Sequence, residues 1–257
     1  TLMFSIMHSI VGVDKNTAFT YGAMGKENQA INEALELNTK LYEKHYEKWA
    51  FTNNTKINKF FGSKKSFEKC IDISEDREKL KQFYQKIREQ KDKYTFFHVN
   101  TEDEFLNIID RVLSYSKTSR VYMVPDENGN MDAACFAINW GEYFALQLEN
   151  PQGLFKALAK MAFTDNILYP IMIVGTPKNA EILLKGIASH YNKQHKCKIT
   201  NLNSFSGDPY FNIKKSVLND EYLFLIICND EHKLNAMKER SKGEDGNVKL
   251  FIDVPLL

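Results

Sequence analysis

The sequence predicts a mixed α/β (α+β) protein in which one order of elements occurs twice. Strand-like, turn, helical and again strand-like segments follow one another over residues 17–54, and the same order returns over residues 169–201. Further apolar segments and helical patterns lie between and after these copies. We therefore expect two mixed sheets in tandem, each flanked by helices.

The first copy opens with a glycine-containing turn at residues 22–27 and continues as an amphipathic helix. The apolar residues of that helix recur at offsets of three, four and seven, which predicts one buried face. They are Ile31, Ala34, Leu35, Leu41 and Tyr42. The bulky residues 49–51 predict a buried strand that Asn53 and Asn54 close, and a short helix over residues 57–61 should follow.

Residues 71–93 are highly charged and predict a connecting helix that packs through one face. Ser74 is expected to cap its start. A narrow apolar stripe runs along it, formed by Leu80, Phe83, Tyr84 and Ile87. The alternative, a basic surface for an acidic partner, is less favoured because Glu and Asp alternate with Lys and Arg.

The second half begins with a strand-like segment and a capping box at residues 101–104, which predicts the start of a helix. The inner face of that helix should hold Phe105, Ile108, Ile109, Val112 and Leu113. Strands are expected at residues 94–99, 120–124, 131–140, 142–148, 169–174, 197–201, 221–228 and 248–253, and further helices at residues 151–163 and 178–194. Residues 126–130 read as a hairpin turn. The chain should thus divide into residues 1–70, a linker helix at 71–93, and residues 94–257.

Composition narrows the function classes. The chain has 257 residues, 43% of them hydrophobic, which is enough for two cores, and a net charge of +1 gives no global field for nucleic acid. No apolar run approaches the ~20 residues that would span a bilayer. The four separated cysteines, Cys70, Cys135, Cys197 and Cys228, indicate reduced thiols in an intracellular protein and no metal site.

The first predicted domain is short at its N-terminus. The chain starts with Thr1, so we expect either a removed presequence or further residues upstream. The first domain is then truncated, minimal, or completed by another chain that covers its open sheet edges.

Residues 22–67 resemble the GCN5-related N-acetyltransferase (GNAT) superfamily, and within it the plant HOOKLESS-type proteins and animal histidine N-acetyltransferase. The family patterns are Arg-x-x-Gly-x-Gly, Asn-x-x-Ala-x-x-x-Phe/Tyr and Gly-Tyr/Phe. This chain has Gly22-x-x-Gly25-x-Glu27, Asn54-x-x-Ile57-x-x-x-Phe61 and Ser66-Phe67 in those places. The resemblance continues in family order through residues 136–148, 217–224 and 248–255.

The resemblance implies an acetyl-CoA site, here vestigial. Its cofactor-binding residues would be Gly22, Ala23, Met24, Gly25, Lys26 and Asn54. In the family the Arg and the glycines wrap the CoA pyrophosphate at a helix N-terminus. Gly22 removes that Arg, and Glu27 adds a negative charge beside the phosphate, which together would cost a few kcal/mol of binding.

The remaining catalytic features are also missing or ambiguous. Phe61 stands where many GNAT enzymes have a Tyr that protonates the thiolate, although the HOOKLESS branch also has Phe. The second copy's turn at residues 175–179 lacks the Arg and the paired glycines, so it reads as a helix cap. None of the histidines is paired in sequence with a second catalytic residue type; they are His8, His45, His98, His190, His195 and His232. Catalytic residues are therefore unassigned.

Two functions stay open. The departures favour a GNAT-derived structural subunit of a larger assembly, with protein partners and no bound cofactor. The alternative is an active N-acetyltransferase that uses acetyl-CoA and acts on a small amine or a protein amino group. We expect an intracellular location, with an organelle such as the mitochondrion among the possibilities, and neither nucleic acid nor a membrane span.

Overall fold

The computed structural model describes residues 19–25, 33, 37, 45–89, 101–143, 167–204, 218–228 and 230–241. Its chain forms two compact units. The first comprises residues 1–53, 203–208 and 219–250, and the second comprises residues 54–202, 209–218 and 251–257. The domain boundaries predicted at residues 70 and 93 stay a prediction.

Eight strands and six helices are described. The strands are β1 (Phe19–Gly25), β2 (His45–Ile57), β3 (Ile71–Asp72), β4 (Arg120–Pro125), β5 (Met131–Asn139), β6 (Ile167–Gly175), β7 (Ile199–Ser204) and β8 (Leu218–Cys228). The helices are α1 (Asn58–Phe61), α2 (Lys64–Phe67), α3 (Arg77–Arg88), α4 (Glu102–Tyr115), α5 (Pro177–Gln194) and α6 (Glu231–Ser241), with a 3₁₀ turn at Trp140–Glu142.

In the first unit, β1 pairs antiparallel with β8, so that Phe19 lies opposite Cys228 and Gly25 opposite Tyr222. The predicted turn is therefore wrong at residues 22–25, which are strand. The backbone pairing with an apolar partner strand outweighs the weak strand propensity of two glycines. Lys26 and Glu27 lie outside the described residues.

The segment between β1 and β2 agrees with the predicted amphipathic helix where it is described. Glu33 and Leu37 are helical and exposed, one turn apart on the face opposite to the predicted apolar one. The five residues predicted for the inner face lie outside the described residues.

Strand β2 runs on to Ile57, so the prediction that Asn53 and Asn54 close it is wrong. The Asn54 amide donates to the Leu202 carbonyl at 3.5 Å, and the Thr55 hydroxyl donates to the Asn201 side chain at 2.9 Å. Because the neighbouring strand satisfies these polar side chains, they continue the strand and do not turn the chain.

The second unit is built on a six-stranded mixed sheet in the order β2-β7-β6-β5-β4-β3. The pairs β3–β4, β4–β5 and β5–β6 are antiparallel. Strands β6 and β7 are parallel, paired at Ile167 with Ile199 and at Leu168 with Thr200. The predicted mixed α/β class with flanking helices is confirmed.

One face of this sheet is covered by α3 and α4. The predicted stripe of α3 is confirmed, because Leu80, Phe83, Tyr84 and Ile87 are all buried. The Phe83 and Phe105 rings pack edge to face, with their centroids 5.5 Å apart. Helix α3 thus belongs to the core of the second unit.

The N-cap of α3 is Asp76, whose carboxylate accepts from the Lys79 N–H, and not the predicted Ser74. The Ser74 hydroxyl is used elsewhere, since it donates to Asp72 and accepts from the Val121 N–H. The other predicted cap is confirmed, because the Thr101 hydroxyl accepts from the Glu104 N–H at 3.2 Å.

The opposite face is covered by α5, with α1 and α2 packed beside it. Buried apolar residues of β4, β5 and β6 meet this helix in a second core, which includes Leu183, Leu184, Ile187 and Tyr191. The predictions are confirmed to within a few residues for the hairpin at residues 120–139, for the helix at 177–194 and for the strands before and after that helix. Predictions at residues 94–99, 144–148, 151–163 and 248–253 lie outside the described residues.

Candidate cofactor site

The second copy's turn joins the end of β6 to the start of α5. Thr176 is the N-cap, and Pro177 occupies the first turn of the helix. The Asn179 N–H donates to both the Thr176 hydroxyl at 3.4 Å and the Thr176 carbonyl at 3.1 Å. The predicted helix cap at residues 175–179 is therefore confirmed.

Gly175 allows this turn to press against β5. Its φ of +112° is a conformation that only glycine adopts readily, and a Cβ there would lie 2.6 Å from the Ala133 Cα. The Asn179 amide donates to the Asp132 carboxylate, which holds the helix start against the same strand.

These contacts decide what the start of α5 can bind. Anion sites at helix N-termini need free N–H groups and no opposing charge. Here Pro177 has no N–H, the Asn179 N–H is taken by Thr176, and the Asp132 carboxylate adds a negative charge. These features disfavour an anion such as the pyrophosphate of a CoA molecule at this helix start.

The residues predicted for the first copy's site are divided between the two units. Gly22, Ala23, Met24 and Gly25 are consecutive residues of β1 in the first unit. Asn54 belongs to the second unit, where it is 3% exposed. Lys26 lies outside the described residues, so the acetyl-CoA role of this set stays a prediction.

Strand β6 contains a bulge that the sequence analysis missed. The register with β5 shifts between Ala134 and Phe136, and Met172 has a φ of +52°. The available signal is Pro170, because proline inside a strand is typical of edges and bulges.

A buried polar cluster, also missed, lies where α1 meets β7. The Asn58 amide donates to the Cys197 carbonyl at 2.8 Å and accepts from the Thr200 hydroxyl at 2.6 Å. The Asn201 amide donates to the Tyr169 hydroxyl at 2.9 Å. These groups satisfy each other, which is the arrangement of a structural network.

Lys56 is an unexpected buried cation, 6% exposed. Burial lowers the pKa of its amine to about 8, and the Glu181 carboxylate partly opposes that shift. Its Nζ lies 5.4 Å from the centroid of the Phe61 ring.

Two histidines lie together at the end of α5, where aromatic rings surround them. His190 stacks on Phe67 with ring centroids 4.2 Å apart and lies 5.4 Å from the His195 ring. Burial lowers the pKa of both imidazoles. His45 and His232 are the other two histidines in the described ranges, and His8 and His98 lie outside them. No described histidine side chain is hydrogen-bonded to a carboxylate, so none has the arrangement of an oriented general base.

Within the described ranges, no group of three His, Cys, Asp or Glu side chains could hold a metal ion. The helices described there include none that is long and apolar enough to cross a membrane.

Comparison with known proteins gives structural neighbours alone. No family model matches the sequence, and no curated protein does. One similar structure is a GCN5-related N-acetyltransferase from Kribbella flavida. The match covers 87% of this chain and 47% of the Kribbella chain, with 9% sequence identity and a TM-score of 0.45. The chain spans about half the length of that GNAT protein.

Two further solved structures are similar. A conserved protein of unknown function from Staphylococcus epidermidis matches 89% of this chain and 79% of its own, with 9% identity and a TM-score of 0.49. Saccharomyces cerevisiae N-myristoyltransferase with bound myristoyl-CoA matches 85% of this chain and 66% of its own, with 9% identity and a TM-score of 0.41. The finer resemblance to HOOKLESS-type and histidine N-acetyltransferases stays a prediction.

Proposed function

We propose that this chain is a catalytically degenerate GNAT-fold protein that serves as a structural subunit of a larger assembly. The observation that carries the proposal is the start of α5. There Thr176, Pro177 and the pair Asn179–Asp132 occupy the place where an anion would bind. A helix start whose groups are used by these contacts stabilises the fold and does not bind a cofactor.

The first copy supports the same proposal through its sequence. Gly22 replaces the family's Arg, and Glu27 replaces its second glycine, so that a cation is lost and a carboxylate is gained. An acyl-CoA diphosphate would then face an uncompensated negative charge. The absence of an oriented base among the described histidines points the same way.

The alternative function is an acetyl-CoA-dependent N-acetyltransferase that acts on a small amine or a protein amino group. The bulge at Met172 favours it, because GNAT acyl transfer uses a backbone N–H at a strand bulge to stabilise the oxyanion. Gly25 and Asn54 of the family pattern are also kept. Acetyl-CoA would be the cofactor in this case, and in the proposed case none is bound.

Thermal unfolding with and without acetyl-CoA tests the proposal. A ligand present at 100 times its Kd stabilises the folded state by about 2.7 kcal/mol, which raises the Tm measurably. We expect no shift for the native full chain. A shift that saturates with acetyl-CoA, together with release of CoA thiol on addition of an amine, would establish the enzyme instead.

A double variant tests whether restoring the family's residues at positions 22 and 27 restores acetyl-CoA binding. Gly22→Arg with Glu27→Gly restores the family's charge and glycine, and Gly22→Lys with Glu27→Gln controls for net charge alone. A shift that appears in the first variant and not in the control would mean that the changes at positions 22 and 27 alone had removed binding. No shift in either would place the loss in the cleft as well.

A further inference from the structure

Helices α1 and α2 carry an exposed aromatic ring among lysines. Phe60 is 79% exposed, the largest fraction among the large hydrophobic residues in the described ranges. The Lys59 Nζ lies 6.0 Å from the centre of its ring. The other exposed lysines of this segment are Lys64, Lys65 and Lys69. We call residues 58–69 the α1–α2 surface.

Positive charge is concentrated on this surface. Its four lysines and one glutamate, Glu68, give a net charge of +3, whereas the whole chain has +1. The remaining residues therefore sum to a net charge of −2. An acidic partner would be attracted to the α1–α2 surface by its positive charge.

The α1–α2 surface is held rigidly, so the exposure of Phe60 is built into the fold. The Ser63 N–H donates to the Lys185 carbonyl of α5 at 2.9 Å, and the Asn58 N–H donates to the Lys198 carbonyl at 2.8 Å. A Cβ on Gly62 would lie 2.7 Å from the Ser189 nitrogen, which shows how closely the two backbones approach. Because this backbone is already fixed, binding would have to order only the exposed side chains that it carries.

We propose that the α1–α2 surface is a docking site for an acidic protein segment that offers an apolar pocket to Phe60. An aromatic anchor inside a charged rim is the arrangement in which a few residues dominate binding. The proposal rests on the subunit role given above and names its partner class. Single-stranded nucleic acid fits less well, because Phe67 is stacked on His190 and Phe60 alone gives no platform for successive bases.

Peptide selection tests the proposal because it requires no candidate partner protein. Random peptides displayed on phage are selected against the immobilised full chain, and the peptides recovered are synthesised and measured by fluorescence anisotropy at low and physiological salt. We expect sequences in which Asp and Glu flank Phe, Leu or Trp, with binding that weakens as salt rises. Oligo(dT) is the nucleic-acid probe in the same assay.

The variants locate the site. Phe60→Ala should weaken peptide binding about tenfold, as should Lys64→Glu with Lys65→Glu. Tyr115→Ala is the matched aromatic control, because Tyr115 is 76% exposed on α4, outside the surface. Arg111→Glu with Lys117→Glu is the matched charge control, since both residues are exposed near Tyr115.

Several outcomes would overturn the docking site. They are a selection without acidic enrichment, equal binding by the Phe60→Ala and Tyr115→Ala variants, no binder above background, and tighter binding of oligo(dT) than of any peptide. The docking site and the proposed function fail separately. If the chain bound acetyl-CoA and still selected acidic peptides through Phe60, the docking site would stand and the proposed loss of catalytic function would be refuted.

Discussion

Asn58 joins helix α1 to strand β7 through both ends of its side-chain amide. It is 1% exposed, donates to the Cys197 carbonyl and accepts from the Thr200 hydroxyl. Asn58→Ala should lower the free energy of unfolding by roughly 2–3 kcal/mol, because both partners would be left buried without a hydrogen bond. Urea denaturation measures this directly.

The hairpin turn offers a matched control for that variant. Asn128 is exposed, and only its backbone N–H bonds to Asp126 in the turn. Asn128→Ala should change stability by less than about 0.5 kcal/mol. Equal effects of the two substitutions would show that the buried amide is not what fixes α1.

The His190 and His195 pair should make the folded state sensitive to acid. Burial lowers the pKa of both imidazoles below the usual 6.5, so the unfolded chain binds protons that the folded chain does not. Their contribution to stability is present above about pH 6.5 and is lost as the pH falls toward the lowered values. The Tm should therefore fall as the pH is lowered from 7.5 to 5.

Variants test whether His190 and His195 cause this dependence of Tm on pH. His190→Gln with His195→Gln should flatten the pH dependence of Tm, whatever the change in Tm itself. His232 is exposed on α6, and His232→Gln should keep the native slope. An unchanged slope in the double variant would refute the assignment.

At the scale of elements, Gly186 explains how α2 packs on α5. A Cβ at this position would lie 2.9 Å from both the Phe67 Cα and the Phe67 nitrogen, and backbone atoms cannot move aside as side-chain ends can. Gly186→Ala should therefore destabilise by about 1–3 kcal/mol, although alanine favours helix by ~1 kcal/mol.

Lys193→Ala is the control on the same helix, because Lys193 is exposed near its end. It should be close to neutral in the same denaturation series. A Gly186→Ala protein more stable than the native one would mean that α2 does not pack this closely.

Elements with strong local signals were predictable, and elements set by distant partners were not. The stripe of α3, the Thr101 cap of α4 and the hairpin around residues 126–130 depend on nearby residues, and all three are confirmed. Residues 22–25 depend on pairing with residues 222–225, some 200 positions away, and the glycines there suggested a turn. The Asn54 side chain was misread for the same reason, since its partner is Leu202.

The candidate site was predicted only in outline. The Gly175–Asn179 turn was expected to be a helix cap, and Thr176 confirms it. The Asn179–Asp132 contact and the low pKa of Lys56 arise from side chains that meet only in the folded chain, so no sequence pattern predicted them.

At the scale of the whole molecule, the fold does not decide the function, because one fold carries many functions. What separates an enzyme from a structural protein here is whether the chain holds an acyl-CoA. The proposal that it holds none rests on the start of α5 and on Gly22 and Glu27. The proposed docking site on the basic α1–α2 surface would give the chain a different way to act, through a partner.

Calorimetric titration of acetyl-CoA into the native full chain is the measurement that tests this account most directly. We predict no heat beyond that of dilution at concentrations well above those at which acetyltransferases bind their cofactor. Saturable binding with a micromolar Kd would contradict the account and establish that the chain still binds the cofactor of an N-acetyltransferase.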